Sequence, residues 1–219
     1  MRFQDRTDAG RQLAAQLTAY ANRDDVVVLA LPRGGVPVAV EVARELHAPL
    51  DVFLVRKLGV PGHPELAMGA IAAGGVRVLS EDLIAELGIP RKLVEDVAAR
   101  EQRELGRRER LYRGNRPMPV LRDRTVIVVD DGLATGSTME AAVAALRQHR
   151  PSQIVVAAPV GAAETCHRLK KIADEVVCVT TPEPFDAVGV WYKRFDQVSD
   201  EEVVGFSCTT PPGGLPYSM

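Results

Sequence analysis

The chain has 219 residues, 46% of them apolar and 26% charged, with a formal net charge of −2. That size suits one large α/β domain with a real core, and the charge balance excludes a whole-chain basic surface of the kind that binds nucleic acid. The longest apolar stretch, residues 26–40, is broken by Pro32, Arg33 and Pro37, so it falls short of a membrane span.

Residues 1–6 lack the apolar run of a secretory signal, and the expected location is the cytoplasm. Cys166, Cys178 and Cys208 are odd in number and show no metal-ligand spacing, which predicts free thiols.

In chain order, residues 26–31 are a short run rich in β-branched residues, apolar on both faces, which predicts a buried parallel strand. Residues 36–46 follow with Ala, Val and Leu at helical spacing. Residues 50–55 read as the next strand. Residues 66–80 hold Gly74-Gly75 between two apolar runs, a hairpin pattern. Ser80-Glu81-Asp82 starts a helix, and Pro90 opens a longer polar one. Residues 91–116 carry nine Arg/Lys and five Asp/Glu, either a solvated helix face or a basic flap closing over phosphates. Strand 125–129, helix 138–148, strand 154–158, helix 162–172 and strand 175–179 complete the pattern.

Strands alternating with helices predict βαβ units in a doubly wound, mainly parallel sheet. Ligands then bind beyond the carboxyl ends of the strands. That places the loops after Leu31, Val55, Val129 and Ala158 at the centre of attention. The expected organisation is a single domain over residues 1–208, with an insertion over about 59–116 and a C-terminal hood over about 182–205. Residues 209–219 read as an irregular tail.

The most informative stretch is Val129-Asp130-Asp131-Gly132-Leu133-Ala134-Thr135-Gly136-Ser137-Thr138. An apolar strand delivers two carboxylates, then a small-residue loop with three hydroxyls, then a helix. Backbone N–H groups, the hydroxyls of Thr135, Ser137 and Thr138 and the positive helix end can converge on a phosphate. The carboxylates would repel that phosphate, so they sit beside it, where they can accept from paired hydroxyls of a sugar ring. The chain contains neither G-x-x-x-x-G-K-[ST] nor G-x-G-x-x-G.

This motif resembles the 5-phosphoribosyl-1-pyrophosphate (PRPP) site of the type I phosphoribosyltransferases, with a loop nearest the adenine-type members. The resemblance implies that Asp130 and Asp131 meet the ribose hydroxyls. It implies that Ala134, Thr135, Gly136, Ser137 and Thr138 hold the 5′-phosphate. The turn Pro32-Arg33-Gly34-Gly35 resembles the family's pyrophosphate loop, where a strained or cis peptide is common; Arg33, Gly34 and Gly35 inherit that role. Arg56 and Lys57, after the next strand, resemble cations that contact pyrophosphate in adenine- and xanthine-type members. Mg²⁺ is the implied cofactor, reached by Asp130 and Asp131, through water if not directly. Ala134 replaces the acid of hypoxanthine/guanine-type relatives, which argues against a 6-oxopurine acceptor.

Phe185, Trp191 and Tyr192 are candidates to stack a base, against the alternative of packing on the sheet. His63 and Glu65 carry no assignable role. The expected activity is Mg²⁺-dependent transfer of phosphoribosyl from PRPP to a nitrogen acceptor. The alternative is a PRPP- or nucleotide-sensing regulator on the same fold; a hydrolase using Asp130 or Asp131 as nucleophile lacks a companion acid/base group. DNA is not an expected partner, since the sequence shows no helix-turn-helix appendage. The family resemblance implies a homodimer.

Overall fold

A computed structural model describes residues 2–207, apart from the side chains of residues 64, 65 and 207. The predicted tail over 209–219, Cys208 and the side chain of Glu65 lie outside the described residues.

The core is a five-stranded parallel sheet in the order β2 (Leu50–Val52), β1 (Val26–Ala30), β6 (Thr125–Val129), β7 (Gln153–Val160) and β8 (Glu175–Thr180). Every residue of β1 and β6 is buried. Such central strands must be apolar on both faces, and each Val or Ile withdrawn from water stabilises by about 1.5–3 kcal/mol. Helix α2 (Gly35–Leu46) connects β1 to β2, and α5 (Ser137–Gln148) connects β6 to β7. The two crossovers travel in opposite directions from the β1/β6 boundary. Right-handed connections then put α2 and α5 on opposite faces of the sheet. That boundary is the topological switch point, where a crevice opens beyond the carboxyl ends of the strands.

A second sheet is antiparallel, in the order β3 (Val55–Val60), β4 (His63–Ala72) and β5 (Val76–Leu79). Its β4–β5 turn uses Gly74 and Gly75 at φ +79° and +77°, a conformation glycine reaches without steric cost. Helices α3 (Glu81–Glu86) and α4 (Arg91–Arg113) follow, and α4 packs on β3 and β4. Two expectations need correction here. The strand predicted over 50–55 stops at Val52: Phe53 N–H makes the last bond to β1, at Ala30 O, and Leu54 C=O already receives Ala73 N–H from the second sheet. Arg56 and Lys57 consequently lie inside β3, paired with Ile71 and Ala70, rather than in a loop, and the insertion begins at Val55.

Arg113 anchors the end of α4 to the parallel sheet. Its Nη2 donates to Asp51 Oδ2 at 2.6 Å and to Pro117 O at 2.8 Å, and both side chains are under one-tenth exposed. Burial pushes the Asp51 carboxyl up, against the pull of Arg113. The other basic residues of α4 are largely neutralised by neighbouring acids: Arg107 and Arg108 hold Glu104, Arg100 holds Glu101, and Arg91 holds Glu81.

The sequence reading did not include α1 (Arg6–Ala14). Asp5 caps it by accepting from Asp8 N–H at 3.0 Å, and Asp8 in turn accepts from Gln4 N–H at 2.9 Å. Ala9, Leu13 and Ala14 are buried. Helix α6 (Ala163–Leu169) lies against β8, and α7 (Asp200–Ser207) packs on α2 and α4. Among the described residues, no helix is long and apolar enough to cross a membrane.

Candidate functional site

The crevice at the switch point is bounded by residues 31–35 after β1 and 130–137 after β6. Two helices begin there, and neither has a side-chain cap. Gly34 precedes α2 and Gly136, at φ +73°, precedes α5. A helix start without a capping side chain can leave N–H groups for a ligand, and its dipole favours an anion; at α2 the Gly35 and Val36 N–H groups already donate to Leu31 O and Arg33 O.

The α5 end forms an open cradle. Ala134, Thr135 and Thr138 are exposed, Gly136 and Ser137 half-buried, and a hollow of about 150 Å³ is lined by residues 130 and 132–139. Thr135 Oγ1 and Ser137 Oγ lie 3.1 Å apart. Leu133 anchors the loop by donating to Val160 and accepting from Ala162. Helix α6 grips it from outside: Thr165 Oγ1 donates to Ala134 O at 2.6 Å, and Arg168 Nη2 donates to Thr135 O at 2.6 Å. A Cβ on Gly136 would lie 2.4 Å from Thr165 Cγ2, so the loop can pass under α6 only as glycine.

The acid pair stands between the two helix ends. Asp130 Oδ1 accepts Asp131 N–H at 2.8 Å. Burial pushes the Asp130 carboxyl well above the usual carboxylate range, and the neighbouring Asp131 charge adds to it. Burial also raises Asp131, with the Arg6 guanidinium opposing it. The glycine turn packs directly on this pair. A Cβ on Gly34 would sit 2.0 Å from Asp131 Oδ2, and one on Gly35 would sit 2.6 Å from Val129 O. The peptide between Pro32 and Arg33 is cis. Arg33 lies at the rim, 3.7 Å from the carboxylate of Asp200 on α7.

Arg56 and Lys57 border a larger cleft of about 650 Å³ between the antiparallel sheet and α4. Thr138 lines both this cleft and the cradle, so the two are neighbours. The Arg56 guanidinium is engaged by Glu101, with Nε at 2.9 Å and Nη2 at 2.5 Å. Burial opposes ionisation of Glu101, but Arg56 and Arg100 outweigh it and hold its carboxyl below the ordinary value.

The aromatic candidates separate. Tyr192 is buried, packs on Phe3 and Phe195, and donates to Asp131 O at 2.5 Å. The ring is packed within the protein's own aromatic cluster, with its hydroxyl on the backbone of Asp131. Phe185 and Trp191 are half-buried and pack on the same small cluster, and Trp191 Nε1 is buried without a partner. The helical turn 188–191 meets the loop at Gly132, where a Cβ would lie 2.4 Å from Val188. His63 is exposed. Cys166 and Cys178 are free thiols with Sγ atoms 3.3 Å apart.

The residue that sequence reasoning missed is Arg6. Its Nε and Nη2 both reach Asp131 Oδ2 at 2.9 Å. Its signal was available: Asp5 and Asp8 mark a helix start that delivers residue 6 to its first turn.

A crevice that sets a pair of hydroxyl acceptors between two anion-binding helix ends can hold a phosphorylated sugar. The chain belongs to the phosphoribosyl transferase domain family, whose profile matches residues 3–193. It is 49% identical over 204 residues to a Mycobacterium tuberculosis protein named "Putative phosphoribosyl transferase Rv0571c", a match covering 93% of this chain and 46% of that one. The chain thus spans about half the length of the curated relatives it matches. Among solved structures, it is similar to TT1426 from Thermus thermophilus, with 46% identity and a TM-score of 0.86 over 94% of this chain and 98% of that one. The AQ2163 protein from Aquifex aeolicus shares the fold, with 13% identity and a TM-score of 0.51 over 84% of this chain and 78% of that one.

Proposed function

We propose that the protein transfers the 5-phosphoribosyl group of PRPP to a nitrogen acceptor and releases pyrophosphate. The observation that carries this reading is the acid pair standing between two uncapped helix starts. One end suits a 5′-phosphate at residues 134–138. The other, with Arg33, Gly34 and Gly35, suits the pyrophosphate. Asp130 and Asp131 between them suit the ribose 2′- and 3′-hydroxyls.

In the proposed reaction the bond from ribose C1′ to pyrophosphate breaks through an oxocarbenium-like transition state. Negative charge grows on the leaving group, and Arg33, Arg56, Lys57 and the Gly34 N–H stabilise it. Arg56 must exchange Glu101 for pyrophosphate to take part. Cradle and cleft adjoin at Thr138, so a ligand that engages both would be held in position, and positioning would supply much of the rate.

The residues present are compatible with Mg²⁺. Among the described residues, no group of three or more His, Cys, Asp or Glu converges to form a protein-only metal cage. Two carboxylates beside a polyphosphate suit a hard ion that keeps water and takes substrate oxygens. Asp130 and Asp131 would hold it, directly or through water. When bound, it would offset charge on the pyrophosphate.

The test is PRPP-dependent pyrophosphate release across a panel of nucleobases and amines. The Asp130→Asn/Asp131→Asn double variant should abolish release while remaining folded by circular dichroism. Undiminished release from that variant would overturn the assignment of the site. Tight PRPP binding with no turnover on any acceptor would favour a sensor on the same scaffold.

A further inference from the structure

The two ends of the domain close on each other at the acid pair. Phe3 N–H donates to Trp191 O at 2.8 Å, Lys193 N–H to Phe3 O at 2.9 Å, and Arg194 N–H to Gln4 O at 3.0 Å. Asp5 and Arg194 form an ion pair beside this ladder. Both strands of the ladder reach Asp131. The C-terminal strand does so through Tyr192, which holds its carbonyl. The N-terminal one does so through Arg6, which holds its carboxylate.

Arg6 is fixed on every side. Its Nη1 donates to Asp196 O at 2.7 Å, and its guanidinium carbon lies 3.9 Å over the Phe195 ring. The side chains of Arg6 and Asp131 are only 12% and 14% exposed. A screened surface pair contributes little, but a desolvated charge-assisted contact is directional as well as strong. Gly34 also closes on Asp131 Oδ2, leaving no room there for a Cβ.

We propose that Arg6 is a positioning residue for the diol site: it sets the orientation of Asp131, and the zipped chain ends set Arg6. This inference rests on the PRPP reading of the same crevice. It specifies a division of labour among four oxygens. Asp131 Oδ2 is committed to Arg6, and Asp130 Oδ1 to Asp131 N–H. Asp131 Oδ1 and Asp130 Oδ2 are then the acceptors left for two neighbouring hydroxyls, one from each acid. An Asp131 released from Arg6 would lose that geometry. Arg6 touches no ligand in this arrangement and acts only through Asp131.

The experiment is a double-mutant cycle on PRPP binding, measured by calorimetry with Mg²⁺ on the full chain, so that no acceptor need be known. Arg6→Gln should weaken PRPP about 100-fold, the usual consequence of a 1 Å misplacement in a site. Adding Arg6→Gln to Asp131→Asn should cost almost nothing further. Arg6→Lys, which can return one charged contact, should recover a good part of the loss. Additive losses in the cycle, or an Arg6→Gln variant with lower stability and unaltered affinity, would overturn the inference and reduce Arg6 to a structural tie. If Arg6→Gln fails to fold, the same cycle run with Arg6→Lys decides between these outcomes. Absence of PRPP binding by the unmodified protein is a separate outcome; it removes the PRPP reading itself, and the inference with it.

Discussion

Gly34→Ala probes the contact between the glycine turn and the acid pair most directly. The added Cβ would stand 2.0 Å from Asp131 Oδ2 and 2.6 Å from its Cγ, whereas real Cβ contacts stay beyond 3.0 Å. Something must therefore yield by about 1 Å. The carboxylate has little freedom, because Arg6 holds the same oxygen at 2.9 Å. Either Asp131 leaves Arg6 or the turn lifts off the end of β6. Overpacking of this kind costs about 1–3 kcal/mol, or some 2–4 °C of midpoint per kcal/mol in a chain of this size. The functional loss should be larger in proportion. A 1 Å displacement of a positioned group costs about 100-fold in rate, and PRPP affinity should fall with it. Calorimetry with PRPP and the pyrophosphate-release assay measure the two losses, and differential scanning calorimetry measures the third. Gly75→Ala is the control, since φ is +77° there but nothing lies within 4 Å of the new Cβ; it should show backbone strain alone. A Gly34→Ala protein that binds PRPP within threefold of the unmodified one would refute the packing argument.

Three further outcomes follow from named contacts. Asp130→Asn should stabilise the unliganded protein while abolishing PRPP binding. Burial and Asp131 raise the Asp130 carboxyl, so its ionised form opposes folding at neutral pH, and that opposition fades as pH falls through its folded pKa. The gain should thus be greatest at pH 7–8, about 2–4 °C for each ~1 kcal/mol relieved, and should shrink on acidification; a midpoint no higher than the unmodified protein's at pH 8 contradicts it. Arg113→Met should destabilise by about 3–5 kcal/mol in denaturant titration, because it leaves Asp51 buried without its cation. Thr165→Val should cost about 1 kcal/mol and weaken PRPP severalfold, since Ala134 O loses its donor at 2.6 Å; equal affinity would show that α6 does not hold the cradle.

The parallel core was legible because burial on both faces leaves a plain chemical trace. Residues 125–129 read as a strand and are one, and the helices at 36–46 and 138–148 begin one residue earlier than predicted. The cradle was legible for a related reason: a hydroxyl-bearing loop between a strand and a helix states its geometry in local order. What failed to show was long-range. Residues 50–55 are apolar apart from Asp51, and no local signal marks Phe53 as the point where the chain leaves one sheet for another. Arg56 and Lys57 therefore read as loop cations, although cross-strand pairing with Ile71 and Ala70 fixes them. For Tyr192 the sequence left base stacking and packing on the sheet both open, because an aromatic residue in a C-terminal segment carries no mark of which side it faces.

Arg6 shows why the acid pair alone is an incomplete description of the site. Two adjacent carboxylates at the end of a buried strand repel each other and resist desolvation. The protein offsets this with a cation 125 residues away in sequence, brought in by a helix whose own cap, Asp5, is also paired with Arg194. Residues 129–138 carry the acids and the loop of the proposed site, and Arg6, 125 residues earlier, holds the second acid. The Arg6→Gln, Asp131→Asn cycle separates these contributions: full coupling between the two positions means that the proposed diol site depends on Arg6, and independence means that the motif builds it alone.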